Sequence, residues 1–428
     1  MFGEGVAFPA AATAALVALC GMSQHALAYT HKVLHVFCAN GFPCTDGSEP
    51  GSSLVFDPAG NIFGTATSGG TGTNAQGVAF ELVNKGHGNW KYKVIHNFCS
   101  ELDCADGGFP NGLIAGFDGT IYGTTENGGG GSHEGVAFKL TPNAKGTKYK
   151  YKKLYDFCSQ LNCTDGGIPV SHLSYAGANG GAFYDGVSPL YGITGSGSGT
   201  VFELRPGKLW KEKVLYQFCS QTNCSDGGAP MELAVDATGS AIYGVTGFGG
   251  SGESQGVVYR LTLRSKTWRE KVLHDFCEQE PCLDGGAPQS VALGADGRLF
   301  GTAFQGGDAD QGVAFEVDPD TGQFTRLYSF CAQTDCIDGA HPVGISISGS
   351  GELVGTTIDG GDPQRSAGTV FSLKGGDEQV LYAFCHSDGC PDGNLPTGGV
   401  ATDDLGNLYG ATATGGHESS GTIFVLKP

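Results

Sequence analysis

Apolar and polar positions between Met231 and Phe276 fall into four short runs divided by turn residues. LAVD is apolar and is followed by the turn residues ATG. AIYGVT is a second run, GFGGSGESQ a loop, GVVYRLTL a third run, and RSKT a turn leading into WREKVLHDF. In this last run Trp268, Glu270, Val272, His274 and Phe276 alternate with Arg269, Lys271, Leu273 and Asp275. Successive side chains of a strand point to opposite faces, so this is strand periodicity with polar positions on both sides. The pattern predicts four strands per unit. The fourth is the outermost, where charge discourages pairing with another sheet edge.

The unit recurs. FC-x4-C-x-DGG-like segments have their first cysteines at Cys38, Cys99, Cys158, Cys219, Cys277, Cys331 and Cys385, a period of 54 to 61 residues. Each unit also carries an apolar run, an Asp or Gly turn, a version of (I/L)-(Y/F)-G-T-T, a Gly-rich loop and G-x-(V/A)-F-x-L. Residues 112–140, GLIAGFDGTIYGTTENGGGGSHEGVAFKL, are one example. Repeats of four short strands predict a β-propeller, an all-β fold of seven blades. HKVLHVF, residues 31–37, matches only the fourth strand of a unit, and GTIFVLKP at the other end matches only the third. The expectation is a ring in which residues 31–37 complete the blade begun at residue 399. A linear solenoid would need capping repeats, and none is visible.

Two cysteines separated by four residues (five in the first unit) and followed by Asp-Gly occur in every unit. Zinc favours four ligands, commonly on C-x2-C knuckles, and this spacing and number fit it poorly. Disulfides are expected instead, pairing Cys38–Cys44, Cys99–Cys104, Cys158–Cys163, Cys219–Cys224, Cys277–Cys282, Cys331–Cys336 and Cys385–Cys390, each tying a long connection between blades. The Asp of each loop (Asp46, Asp106, Asp165, Asp226, Asp284, Asp338, Asp392) reads as a turn former, because a carboxylate bonds nearby backbone N–H groups and Gly accepts positive φ.

Composition agrees with strands and turns: 74 Gly, 3 Met and 16% charged residues among 428 disfavour long helices. The formal net charge of −19 disfavours nucleic acid and anionic membranes as partners. AAATAALVALCGMSQHALA near the start, with Ala26-Leu27-Ala28 as a small-residue cleavage site, reads as a signal peptide over residues 1–28, although Glu4 stands where positive charge is usual. Lipid attachment at Cys20 is the alternative, with bulky Leu19 against it. Setting Cys20 aside leaves an even 14 cysteines, the mark of an oxidising compartment. A secreted or periplasmic monomer is expected, one propeller over residues 29–428 with no membrane span and no cofactor.

The motif G-x-(I/L)-(Y/F)-G-T-T-x-x-G-G…G-x-(V/A)-F-x-L, seen as Ile121-Tyr122-Gly123-Thr124-Thr125 and as Leu408-Tyr409-Gly410-Ala411-Thr412, resembles the GloVer tandem repeat of bacterial secreted and surface proteins, the choice-of-anchor family. The resemblance covers residues 31–428. It implies the repeat, and no activity or catalytic residue. With no anchor tail read after the last repeat, a soluble periplasmic or extracellular form is expected.

Residues common to all units read as fold, so a site is sought where units differ. His133-Glu134 and His417-Glu418 in two Gly-Gly loops offer acid–base or metal chemistry. Asp308 with Asp310 and Asp359 with Asp362 are weak calcium candidates, since calcium takes six to eight oxygens. His172, His341 and His386 lack counterparts in most units. The third unit has an enlarged turn with Tyr184 and Asp185 and a shortened Gly-rich loop, read as a cleft near Phe248 and Phe304 that suits sugar rings or peptide. No G-x-S-x-G elbow, H-E-x-x-H, Walker loop or dinucleotide fingerprint stands in a fitting context. The expectation is a binding module for a glycan or surface protein. A lyase or glycosidase with its site at the channel mouth and a purely structural envelope protein are the alternatives.

Overall fold

The computed structural model describes residues 29–72, 74–252 and 254–428. The expected signal peptide and Cys20 lie outside them. The chain forms a seven-bladed β-propeller of antiparallel blades. In sequence order these are blade 1 (48–97), blade 2 (108–156), blade 3 (168–217), blade 4 (228–275), blade 5 (286–329), blade 6 (340–383) and blade 7, which joins 394–427 to strand Thr30–Val36. That strand runs antiparallel to Thr422–Lys427 and closes the ring as the outermost strand of blade 7. Blade 3 departs from the rest. Its three regular strands are Leu190–Thr194, Thr200–Arg205 and Lys211–Gln217, and its innermost position is taken by irregular chain held through the bridges Pro169–Thr194 and Ser174–Tyr191.

The strand order places the disulfide loops, and the loops between second and third strands, on one face of the disc, called upper below. Hairpin turns between first and second, and third and fourth, strands lie on the lower face. Innermost strands of neighbouring blades touch around the axis.

The repeat motifs have steric causes. The Phe that precedes each first cysteine packs edge-on or tilted against the third-strand aromatic of the next blade. Ring centroids are 4.9 to 5.6 Å apart in all seven interfaces, from Phe37–Phe80 to Phe384–Phe424. The Gly of the (Y/F)-G-T motif lies under that aromatic. A Cβ on Gly64, Gly192, Gly301 or Gly410 would sit 2.3 to 2.5 Å from a ring carbon of Phe80, Phe202, Phe315 or Phe424. Beside the same aromatic the register with the outer strand shifts, as at Ala79/Phe80, Val201/Phe202 and Ala314/Phe315. A bulge of this kind bends the outer strand and strengthens its twist. Sequence motif, blade twist and interblade core are therefore one packing arrangement repeated seven times.

Candidate functional site

All seven expected disulfides are present, with Cα atoms 4.0 to 4.5 Å apart. In four loops the residue before the second cysteine is in left-handed backbone, at φ 53° to 58°, and is Asp103, Asn162, Asn223 or Asp335. Asn and Asp tolerate that region best after Gly. The loop Asp then gathers donors. Asp226 accepts from the Ser220 and Gln221 N–H groups, the Ser220 hydroxyl and the Tyr216 hydroxyl. Asp165 repeats this with Ser159, Gln160 and Tyr155. At the other loops the side-chain partner is His35, His96, His274, Tyr328 or Tyr382. Asp106, Asp165, Asp226 and Asp338 are at most 1% exposed, so four of the seven loops carry a carboxylate removed from water, while Asp46, Asp284 and Asp392 are partly exposed. Burial pushes Asp106 up, but bonds from His96, Ser100 and the Glu101 and Ser100 N–H groups outweigh it and hold the group at about 2.

One residue of the next blade's outer strand completes each station. It stands opposite the Leu or Val two residues after the third-strand aromatic and is Tyr92, Tyr151, Glu212, Glu270, Phe324, Glu378 or His31. The choice follows the loop partner. Where that partner is His35, His96 or His274, the added residue is aromatic and stacks on it, with centroids 3.7, 4.6 and 4.0 Å apart. Where it is Tyr155, Tyr216 or Tyr328, the added residue is a glutamate. Tyr382 meets the imidazole of His31 at 4.3 Å. Burial, and then the loop Asp, raise Glu212, Glu270 and Glu378 to about 8, 7 and 8. Each of these three glutamates has a buried Oε1 without a hydrogen-bond partner.

The upper rim of the channel is built by the DGGxP segment. Its x residue is Glu49, Phe109, Ile168, Ala229, Ala287, His341 or Leu395, and all seven sit at φ 48° to 56°. Each donates its N–H to the preceding blade's loop, for example Phe109 to Gln76 O and His341 to Gln311 O. Backbone geometry is constant while six residue types occupy the seven positions. Within this rim Phe304 stacks on His341 at 4.5 Å, and His341 Nδ1 lies 2.9 Å from Asp359.

Lower in the channel, a second ring precedes the buried aliphatic residue of each innermost strand. Its members are Ser53, Gly112, His172, Glu232, Ser290, Gly344 and Gly399. On one side the backbones nearly touch: a Cβ on Gly344 would meet Gly398 at 2.3 Å, and one on Gly399 would meet the Ser346 hydroxyl at 2.5 Å. On the other side, adjacent blades carry His172 and Glu232, with Nδ1 and Oε1 3.8 Å apart. Glu232 also accepts the Val291 N–H across to blade 5. Burial lowers His172, and burial raises Glu232 to about 7 against the pull of that N–H. This ring supplies one carboxylate, short of the pair that glycoside hydrolysis uses.

Residues 184–424, more than half of the chain, match the Gloeobacter/Verrucomicrobia repeat. The chain belongs to that family. No curated protein matches it by sequence. Among solved structures it is similar to the WD40 β-propeller domain of Doa1, at 13% identity and TM-score 0.52 over 92% of this chain and 96% of that one. It also resembles the extracellular domain of the putative hybrid two component system BT4673 from B. thetaiotaomicron, at 11% identity and TM-score 0.54, over 92% of this chain and 39% of that one. Puromycin hydrolase is similar at 10% identity and TM-score 0.50, over 86% of this chain and 50% of that one. At these identities the likeness is one of fold.

The repeat protein brings Phe304, His341 and Asp359 together on the upper rim, where Phe248 is also exposed at 40%. Tyr184 is elsewhere. It is fully buried between blades 2 and 3, donating its hydroxyl to Ser188 O and packing edge-on against Tyr122. Asp185 caps its own turn through the Val187 and Ser188 N–H groups. The expected cleft joining Tyr184 to Phe248 and Phe304 does not form, because the enlarged turn is on the lower face and the shortened loop on the upper. His417 bonds Cys38 O at 3.0 Å beside exposed Glu418. His133 is an exposed turn residue, and Glu134 packs under Gly167. Asp308 is paired with Arg326, while Asp310 and Asp362 accept N–H bonds inside their own loops. His386 faces Asp392 in its disulfide loop, away from the channel wall that holds His172. Among the described residues one group has metal-ligand proximity, Cys277, Glu280 and Cys282, and its two sulfurs are already bonded to each other. Glu232 was missed in the sequence; aligning the seven innermost strands residue by residue would have exposed it.

Proposed function

We propose that the protein is a binding module of an oxidising compartment, secreted or periplasmic, that engages a glycan or a surface protein on its upper rim. The observation that carries this reading is the DGGxP ring. Non-Gly residues in left-handed backbone cost roughly 1 kcal/mol or more each. Glycine would remove that cost, yet none of the seven positions is glycine. Side chains kept against such strain, and of six kinds over seven blades on one fixed backbone ring, are what a recognition surface requires. The disulfide loops add apolar tips on three consecutive interfaces, with Phe42, Leu102 and Leu161 exposed at 92%, 86% and 84%.

The test is to record the melting temperature of the oxidised protein against a panel of oligosaccharides. It is repeated with a variant carrying Gly at positions 109, 168, 341 and 395. A ligand of the folded state raises the melting temperature by mass action. The variant should fold and lose the shift. A shift of equal size in the variant would remove the rim as the seat.

A further inference from the structure

A groove with a volume of about 820 Å³ lies on the lower face, between blades 3 and 4. It opens where blade 3 leaves the regular pattern. Instead of a short hairpin turn, residues 175–188 detour toward blade 2, where Tyr184 N–H bonds Ala115 O and Phe117 N–H bonds Tyr184 O. Asn179 then reaches Val235 O of blade 4. The groove remains beside this detour, on the side of the outer strands.

Its lining does not match the rest of the molecule. The protein has 24 basic and 43 acidic residues. The groove holds four basic side chains, Arg205, Lys211, Lys213 and Lys266, against two carboxyl groups, Glu203 and Glu212. Glu203 is buried and bonded to Arg205 at 2.9 Å, so that charge is met internally. Glu212 belongs to an interblade station, where burial and Asp165 raise it to about 8, which leaves it mostly neutral at pH 7. None of the three lysines has a carboxylate oxygen within 4.0 Å among the described residues. Three ammonium groups without a carboxylate partner therefore line a groove that also exposes part of the Trp268 indole, with the nearly buried Tyr191 edge-on to it at 6.3 Å.

We infer that this lower groove is a binding site for an acidic oligosaccharide, a chain of uronate-type sugars. Aromatic walls take the apolar faces of pyranose rings. Lysines are flexible point charges that reach carboxylates spaced along a chain without a fixed fork geometry. The overall charge of −19 opposes a densely charged polyanion such as nucleic acid, which needs a continuous basic stripe. A sparsely charged sugar chain needs cations only where its carboxylates fall. The inference stands apart from the upper rim and does not rest on it.

The experiment is calorimetric titration of the oxidised protein with hexagalacturonate, neutral maltohexaose and a short oligothymidylate, with Trp fluorescence as a second readout. The triple variant K211Q/K213Q/K266Q is titrated in parallel. All three lysines are exposed, so its melting temperature should match the parent. Hexagalacturonate should bind with affinity falling as salt rises, maltohexaose should not bind, and the triple variant should lose about tenfold or more. The rim variant with Gly at 109, 168, 341 and 395 should bind hexagalacturonate normally, which separates this site from the upper face. Equal binding of maltohexaose, unchanged affinity in the triple variant, or no hexagalacturonate binding would overturn the inference. Tighter binding of the oligothymidylate would overturn the sugar class.

Discussion

Replacing Glu212, Glu270 and Glu378 together by Gln should flatten the pH dependence of stability. Each glutamate faces a loop Asp that is at most 1% exposed, and each has a buried oxygen without a partner. Their folded-state values of about 8, 7 and 8 stand above an ordinary carboxyl at 4.5. A carboxyl whose value is raised by folding is protonated more readily in the native state. Its contribution is therefore fully present below the ordinary value and is lost as pH rises through the folded value. At 1.36 kcal/mol per unit the loss would approach about 5 kcal/mol for a rise to 8, and water contact at these partly exposed side chains cuts it to about 1–2 kcal/mol each. The wild-type protein should lose about 3–6 kcal/mol between pH 5 and pH 9 from this source. Gln keeps the shape and cannot ionise. Urea unfolding with disulfides intact, at unit steps of pH, reads the difference. The variant should equal the parent near pH 5 and exceed it by a few kcal/mol near pH 9. Parallel curves for the two proteins would refute the reasoning. So would a parent stabilised at high pH by calcium, which would mean that a cation, and not a proton, bridges each Glu–Asp pair.

Three further outcomes follow from the same geometry. Ala229→Gly and Ala287→Gly relieve left-handed backbone at φ 48° with only a methyl to lose, and each should raise stability by about 0.5–1 kcal/mol in thermal melts; a loss would remove the strain argument. Asp226→Ala removes a buried acceptor of four hydrogen bonds and leaves two backbone N–H groups and two hydroxyls without it, so urea unfolding should show a loss of about 2–4 kcal/mol. Gly301→Ala places a Cβ 2.3 Å from the Phe315 ring and should lose about 2–3 kcal/mol, a loss that Phe315→Leu in the same chain should partly restore.

The architecture was legible because it is repeated. Period, strand alternation and the unmatched end segments predicted seven blades and the closing strand, and cysteine spacing predicted all seven staples. Repetition also concealed what was not read. The Tyr or His that bonds the loop Asp stands three residues before every first cysteine, from His35 to Tyr382, yet appeared as one more polar position on an outer strand. Glu232 went unnoticed because its counterparts are small, and small residues at a tight axis attract no attention. Tyr184 misled for the opposite reason. An aromatic in an insertion looks exposed, but an insertion long enough to fold back can deliver its side chain between blades, where about 150–250 Å² of aromatic surface is removed from water.

The stations show how one chain solves a single problem in several ways. Each loop needs a carboxylate to gather its backbone N–H groups, and a buried carboxylate needs compensation. At His35, His96 and His274 an imidazole supplies it, and the next blade covers that imidazole with a flat ring. At Tyr155, Tyr216 and Tyr328 a phenol donates one hydrogen bond, and the neighbouring residue is then a carboxyl whose protonated form burial favours. At Tyr382 a second contact comes from His386 in the loop itself, whose Nδ1 lies 3.0 Å from Asp392, and the stacking position is filled by His31, held near 4 by burial. The two positions lie on different blades, some tens of residues apart, and still change together. Loop and neighbouring strand are thus matched as a pair at each station: an aromatic ring over each of His35, His96 and His274, and a carboxyl beside each of Tyr155, Tyr216 and Tyr328.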